Sequence, residues 1–293
     1  VTTGSVVGFR GTVSDGPDGI FAAGANGVHA VAVLGQGSPA GGSFASVGGG
    51  HVHPVGTTTF RAGLSDGTSA LFATDLAMPF PFLRTVAREG DALPIAGATI
   101  RSFPGSIDPA INAAGTVAFR VLIAGASDPL RPAGIFTVTP GGQVASIVSV
   151  RDEIPDIGTI SRLRDPCIAD DGSVVVSAVV STVGPALYVA RDGVLSPLAR
   201  LGDPTSVDTG DARFRFGSAS VTGVGEGAVF LGQRDAIFDV AADGATRRRC
   251  ARAPPGSALR PVVDGHQPGR GRRGWCRHAR LDSGTARAAT ATS

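Results

Sequence analysis

"INAAGTVAF", Ile111 to Phe119, is the stretch on which the fold of this chain turns. An asparagine that opens a tight turn can hydrogen-bond its own backbone, and a glycine three residues on accepts φ > 0. "NAAG" therefore suits a type I turn closing on a left-handed glycine, a common hairpin connection. The strand that follows, "TVAFRVLI", is apolar on both faces, as expected of a strand buried within a layered sheet.

Weaker versions of the stretch recur. Glycines followed by a short apolar strand stand at Gly4 ("GSVVGF"), Gly56 ("GTTTF"), Gly115, Gly172 ("GSVVVS") and Gly225 ("GEGAVF"), spaced by 52, 59, 57 and 53 residues. A second mark follows each, a small–aliphatic–aromatic triplet: "GIF" ending at Phe21, "ALF" at Phe72, "GIF" at Phe136, "ALY" at Tyr188 and "AIF" at Phe238. A third is a turn after a valine-rich strand: "LGQGSPAGG" (Leu34–Gly42), "EGDALPIAG" (Glu89–Gly97), "VRDEIPDIG" (Val150–Gly158) and "LGDPTSVDTG" (Leu201–Gly210). Three marks in constant order define a copied unit.

Each unit reads as about four strands. In the third they are "TVAFRVLI", "AGIFTVTP", "QVASIVSV" and "TISRLRDPCI". "SDGPDG" and "SDGTS" supply further hairpin turns. Units 1 and 5 carry one extra residue between the glycine and Phe9 or Phe230. A one-residue slip would flip the strand's faces, so a bulge is expected there. The fold class is all-β: tandem four-stranded antiparallel units of 50–60 residues, β-propeller-like, starting near 4, 56, 115, 172 and 225 and filling residues 1–246. An elongated array of small sheets is the alternative.

"INAAGTVAF", with "REGDALP" and "GIF", resembles the bacterial tandem-repeat proteins named for an NxxGxxAF motif. The resemblance covers roughly residues 1–246, and only unit 3 carries the full motif; Val1, His53, Ala169 and Thr222 replace its asparagine elsewhere. The resemblance implies a choice-of-anchor protein, exported and tethered to the cell surface by a C-terminal anchor. It implies no catalytic residue.

Composition agrees. The 293 residues include 43 glycines and 20 prolines, and 42% are hydrophobic. Many short strands joined by Gly/Pro turns give such a composition, and no long 3.6-period segment argues for helix. All 26 basic residues are arginine, which points to a GC-rich genome. The net charge of +2 hides an asymmetry: residues 1–246 carry 15 Arg against 22 Asp+Glu, or −7, and residues 247–293 carry 11 Arg against 2 Asp, or +9. Cys167 alone of three cysteines lies in the acidic body, which excludes a disulfide framework or thiolate metal site there. No apolar run approaches 18 residues, so no membrane-spanning helix is expected. The start at Val1 suggests a fragment or processed form, with export signal and anchor elsewhere.

Residues 247–293 show none of the three marks and are read as a disordered, Arg-rich tail. A basic arm that binds nucleic acid or an acidic surface, and a linker or stalk, are two readings. A translational frameshift is preferred. Shifting the codons of His266–Arg273 forward by one base, with CGN arginines, makes His–Gln Ile or Thr and Gln–Pro Asn or Ser. The following junctions permit "x-A-G-D-V", so the shifted text can read "I-N-x-A-G-D-V", its glycine near position 270. The same shift does not recover a "REGD" turn upstream. On this reading a sixth unit is encoded and not translated.

Candidate chemistry is sparse. His51 and His53 of "HVH" would share one face of an extended segment but lack a third metal ligand. Asp91, Asp152 and Asp203 recur in the turn after the third strand, and Asp15, Asp18 and Asp66 in hairpins. No loop has the ligand density of a dedicated Ca²⁺ site, and repetition favours Asp that fixes turns. Asp152–Glu153 and Asp170–Asp171 are adjacent carboxylates at expected turns. Gly48–Gly50 lacks the context of a phosphate loop, His29 reads as a strand residue, and Cys167 as a small buried hydrophobe. No catalytic, cofactor-binding or metal site is assigned. The expectation is a non-catalytic exported or surface module, monomeric, without nucleic acid, facing an unknown extracellular ligand or protein. The alternative is a propeller-type hydrolase or lyase acting on an extracellular polymer.

Overall fold

A computed structural model describes residues 7–12, 16–24, 27–53, 55–75, 82–104, 109–125, 132–200, 222–224, 227–232, 236–240 and 246–251. The described residues contain no helix; they form five antiparallel sheets. The first holds β1 (Val7–Thr12), β2 (Asp18–Gly24) and β3 (Gly27–Val33). The second holds β4 (Phe44–Val52), β5 (Thr57–Leu64), β6 (Ser69–Asp75) and β7 (Arg84–Arg88). In the third, β8 (Thr99–Ser102) and the two-residue β9 (Ala110–Ile111) both pair with β10 (Val117–Ala124), followed by β11 (Ala133–Val138) and β12 (Val144–Ser149).

The fourth sheet repeats that plan. β13 (Glu153–Ile154) pairs with β14 (Gly158–Leu163), and β14 and β15 (Cys167–Ile168) pair with β16 (Val174–Val180). β17 (Gly184–Arg191) and β18 (Val194–Arg200) complete it. The fifth sheet is β19 (Thr222–Val224), β20 (Gly227–Gly232), β21 (Ala236–Val240) and β22 (Thr246–Ala251), in that order.

The sheets are out of phase with the sequence repeat. The strand read as the fourth of unit 3, residues 159–168, does not join β12; β14 and β15 pair with β16 of the next sheet. The recurring marks fix the period of the chain but not where one sheet gives way to the next. The three crossings among the described residues use the same hairpin. Gly35 N–H donates to Phe44 O (2.8 Å) and Phe44 N–H to Gln36 O (2.9 Å); Gly90–Ile100–Asp91 and Arg151–Ile160–Asp152 repeat the pair of bonds. The turn's left-handed residue is Gly35 or Gly90 in two cases and Arg151, φ 80°, in the third.

The core lies between successive sheets. Ile20, Ala22 and Ala32 of sheet one pack with Phe44, Phe60 and Phe72 of sheet two. Leu71 and Ala73 of sheet two pack with Phe119 and Phe136 of sheet three. Ala133 and Ile135 of sheet three pack with Val176 and Tyr188 of sheet four. The small–aliphatic–aromatic triplet follows from this layering: neighbours on a strand point to opposite faces, so Ile135 faces the following sheet and Phe136 the preceding one. Each fully buried ring contributes about 1.5–3 kcal/mol.

The small residue has its own reason. A Cβ on Gly134 would lie 2.8 Å from the Phe136 ring and 3.0 Å from Ser149 Oγ, and one on Gly19 would lie 3.2 Å from the Phe21 ring. Phe136 and Phe21 thus fold back over the residue two before them. In the backbone register the aromatic position stands opposite a bulky apolar one: Phe9↔Phe21, Phe60↔Phe72, Phe119↔Phe136 and Phe230↔Phe238, with Val176↔Tyr188 in sheet four.

Bulges recur, and the part of the expected stretches that is described shows none. The β1–β2 and β20–β21 ladders run unbroken past Phe9 and Phe230, and residues 4–6 and 225–226 lie outside the described residues. A register shift falls within the aliphatic–aromatic pair against the next strand: Ile20/Phe21, Leu71/Phe72, Ile135/Phe136, Leu187/Tyr188 and Ile237/Phe238. All five sheets share this distortion.

The boundary at residue 246 also moves. Arg247–Ala251 belong to β22, in register with β21, and the compact unit runs to Ala251. Pairing uses backbone groups, so a run of arginines does not prevent it. Cys250 therefore joins Cys167 in the body, and residues 252–293, with the frameshift test positions 266–273, lie outside the described residues.

Candidate functional site

Three glycine turns converge. In residues 112–116, Gly115 N–H donates to Asn112 O (3.0 Å) and Asn112 N–H to Thr116 O (3.1 Å). Gly115 has φ 79°, the left-handed closure the sequence requires. His53–Thr57 and Ala169–Ser173 make the same two bonds around Gly56 and Gly172. The turns belong to sheets two, three and four, and they bond to one another. Thr57 Oγ1 donates to Asn112 O (3.0 Å), and Asn112 Nδ2 donates to Ala169 O (3.1 Å). Arg84 Nη2 donates to Gly115 O (2.6 Å), and burial lowers this guanidinium's pKa from its ordinary value.

The motif asparagine is thus a strut, 2% exposed. Its Oδ1 accepts from Thr116 N–H (2.9 Å) while its Nδ2 reaches the next sheet. In the fourth sheet Ala169 replaces it, and another side chain takes over the acceptor role: Asp171 Oδ1 accepts from Ser173 N–H (2.9 Å) and also from Ser173 Oγ. The Ser173 hydrogen bonds, with Arg191 3.0 Å away, hold the Asp171 carboxyl below the usual carboxylate range.

His53 and Asp170 bridge the second and fourth sheets. His53 Nε2 lies 3.1 Å from Asp170 Oδ1, with side chains 14% and 45% exposed. Val55 N–H donates to His53 Nδ1 (3.3 Å). In a neutral imidazole that bond leaves the proton on Nε2, where it is donated to Asp170. Asp170 Oδ1 also accepts from Ala113 N–H (2.8 Å). Both imidazole nitrogens are therefore engaged in holding turns together, which is poor preparation for a general base.

Sequence reasoning missed this convergence. His53, Asn112 and Ala169 hold one position of the repeat and Asp170 the next, a coincidence legible only once the turns are known to meet. His51 and His53 do not share an extended face, because β4 ends at Val52 and His53 enters the turn. Gly48–Gly50 lies inside β4 at a register shift, where a Cβ on Gly50 would sit 2.3 Å from Thr59 O.

The turn aspartates bond local backbone. Asp91 Oδ2 accepts from Arg88 N–H and Asp152 Oδ2 from Ser149 N–H, both at 2.7 Å. Asp66 accepts from Thr68 N–H (3.0 Å) and Oγ1 (2.7 Å) and pairs with Arg88. Asp18 opens β2 rather than a turn and accepts from Thr12 and Arg10. Asp15 and Asp203 lie outside the described residues. Asp152–Glu153 and Asp170–Asp171 occupy turns or their edges, His29 is an exposed residue of β3, and Cys167 is buried in β15. Among the described residues no group of three or more His, Cys, Asp or Glu is placed to hold a metal ion, and no helix is long and apolar enough to cross a membrane.

Residues 82–244 match a family of unknown function, DUF7453. The chain belongs to that family. In this DUF7453 protein, Asn112 and Asp170 fall inside the matched segment and His53 outside it. No curated protein matches the sequence. Among solved structures, a mutant of Trypanosoma rangeli sialidase displaying trans-sialidase activity is similar at 10% identity and a TM-score of 0.38, over 74% of this chain and 40% of that one. The chain thus spans 40% of that sialidase's length. A mutant Aleuria aurantia lectin in complex with alpha-methyl-L-fucoside is similar at 10% identity and a TM-score of 0.26, over 87% of this chain and 98% of the lectin.

Proposed function

We propose that the chain is a non-catalytic module of a β-propeller-like repeat protein, exported and held at the bacterial surface, structural or binding an extracellular ligand or protein as a monomer. The single observation that carries the non-catalytic reading is the use of its unrepeated polar groups. His53, Asn112 and Asp170 are hydrogen-bonded to turns of neighbouring sheets. Enzymes keep a base free within reach of the reacting proton. The sequence motif NxxGxxAF supports the surface location, and the meander plan repeated from sheet to sheet supports the propeller-like arrangement.

The rival, a hydrolase or lyase of extracellular polymers, draws on the same bridge, because His53 and Asp170 break the repeat. The full chain, incubated with a panel of bacterial and host polysaccharides, is expected to release no new reducing or unsaturated ends. Turnover by the full chain that is lost in both His53→Gln and Asp170→Asn would overturn the non-catalytic reading. Protease shaving of intact cells that leaves the protein untouched, while lysis exposes it, would overturn the surface location.

A further inference from the structure

We propose that Arg84 and Phe82, beside the turn of residues 112–115, form a binding site for a carboxylate-bearing sugar of an extracellular polysaccharide. The proposal deepens the reading of the chain as a ligand-binding surface module and rests on it for the extracellular source of the sugar.

The observation that carries it is an uncompensated cation. Arg10, Arg88, Arg120 and Arg191 each pair with an aspartate. Arg84 does not. Its guanidinium is half-buried and donates through Nη2 to Gly115 O (2.6 Å), its one hydrogen bond among the described residues. Ala73 stands opposite it in the β6–β7 ladder, and Asp75, two residues on, has a partner of its own. Burial lowers the Arg84 pKa, and among the described residues no neighbouring charge offsets that shift. A guanidinium carries its N–H donors in a planar fork, so Nε and Nη1 remain for a ligand. Burying a charge without a counter-charge is costly, and a bidentate carboxylate is the partner that relieves the cost best.

The surroundings select a sugar. Leu83 packs into the core between sheets one and two. In an extended chain its two neighbours stand on the opposite face, which puts Phe82 beside Arg84. Phe82 is 81% exposed, and its flat ring offers the apolar face of a pyranose a platform. Beyond the guanidinium the walls are low. Ala113 and Ala114 are exposed at the tip of their turn, and a Cβ on Gly115 would lie 3.3 Å from Pro140 Cγ, so the turn of residues 139–142 abuts the far side. Both turns present small, uncharged residues and backbone. That suits a flat sugar ring better than a peptide, whose recognition needs pockets for alternate side chains. A ring-shaped ligand with one acidic group, a uronic acid, matches the platform and the fork together.

The test uses the full chain and measures binding by titration calorimetry. Polygalacturonate is the probe, and its fully methyl-esterified form is the neutral counterpart. Binding of the first and not of the second is expected. Arg84→Gln should weaken that binding at least about tenfold, through the loss of a charge-assisted contact. Because Arg84→Gln also gives up the bond to Gly115 O, Phe82→Ala at the exposed ring is the second variant; it should weaken binding at unchanged Tm. Equal binding of the esterified polymer would overturn the proposal. So would an affinity that neither variant changes, which would assign the polymer to the 11 arginines of residues 247–293. Equally tight, Arg84-dependent binding of dextran sulfate or poly-glutamate would overturn the carboxylated sugar in favour of a sulfated polymer or an acidic protein. Protease shaving separates this from the parent reading. A protein that is shaved from intact cells but binds no polygalacturonate loses the sugar site alone. One that binds through Arg84 yet stays untouched on intact cells keeps the site and loses the surface location.

Discussion

Asn112→Ala tests whether the turn cluster holds the sheets together. The side chain is 2% exposed and makes two bonds, accepting from Thr116 N–H at 2.9 Å and donating to Ala169 O at 3.1 Å. Removing it leaves the Thr116 N–H without its partner and Ala169 O with the Gly172 N–H bond alone. Each lost bond costs about 1 kcal/mol net, and more where the orphaned group stays dry, so the sum is about 2–4 kcal/mol. For a domain of this size that corresponds to a Tm about 6–12 °C lower. Urea unfolding followed by far-UV circular dichroism should show a lower midpoint with an unchanged slope. Asn112→Asp separates the two bonds. It keeps the acceptor for Thr116 but sets a second oxygen against Ala169 O, so at pH 7 it should be at least as damaging as alanine. Below about pH 4, where a carboxyl regains a proton to donate, part of the loss should return. Ala114→Ser, on the exposed tip of the same turn, is the control. If Asn112→Ala falls within about 0.5 kcal/mol of that surface change, the strut is idle and the reasoning fails.

Four further outcomes follow from the packing. Tyr188 stands where other units carry phenylalanine; its hydroxyl is buried without a hydrogen-bond partner among the described residues, and burial raises its pKa. Tyr188→Phe should therefore be neutral or stabilising by about 1 kcal/mol in urea unfolding, and a clear loss would expose a missed partner. Gly134→Val places a side chain where the Phe136 ring and Ser149 already crowd a Cβ, and should cost about 1–3 kcal/mol, read as a lower Tm. Arg151→Gly relieves a left-handed residue at φ 80° and should raise the urea midpoint, the relief of about 1–2 kcal/mol being partly offset by the greater freedom of unfolded glycine. Asp171 has a depressed folded pKa, so its contribution is present above the unfolded aspartate value of about 4 and fades as pH falls through the folded value. The stability gap between the wild-type chain and Asp171→Ala should accordingly narrow between pH 5 and 2, and a gap that widens on acidification would contradict the assignment.

Much of this architecture is legible in the chain because copying left the same constraint at each site. Gly115 must be left-handed, Gly134 must lie under a ring, and Ile135 and Phe136 must face opposite sheets; each requirement selects a residue type, so each leaves a mark. The sheet boundary leaves none. "TISRLRDPCI" alternates as well for one partner as for another, and only the ladder to β16 decides. The recurrent bulge escaped for a related reason, since a register shift between Ile135 and Phe136 depends on the partner strand and not on the dipeptide itself. The turn cluster was hidden more deeply. Ala169 looks like a degenerate asparagine until Asp171 is seen bonding Ser173 in its place, and His53 looks like half of a metal site until its neighbour proves to be Asp170, more than a hundred residues away.

The opposite facing of Leu71 and Phe72, and of Ile135 and Phe136, makes the second and third layers polar, ring-bearing on one side and branched-aliphatic on the other. Such layers add head to tail and in one direction only. Recombination that duplicates or deletes a whole period recreates junctions the chain already tolerates, whereas a layer seated face-about would press ring against ring. Length can therefore drift among homologous genes while orientation stays fixed, with the cost of each gain or loss confined to the layers it touches.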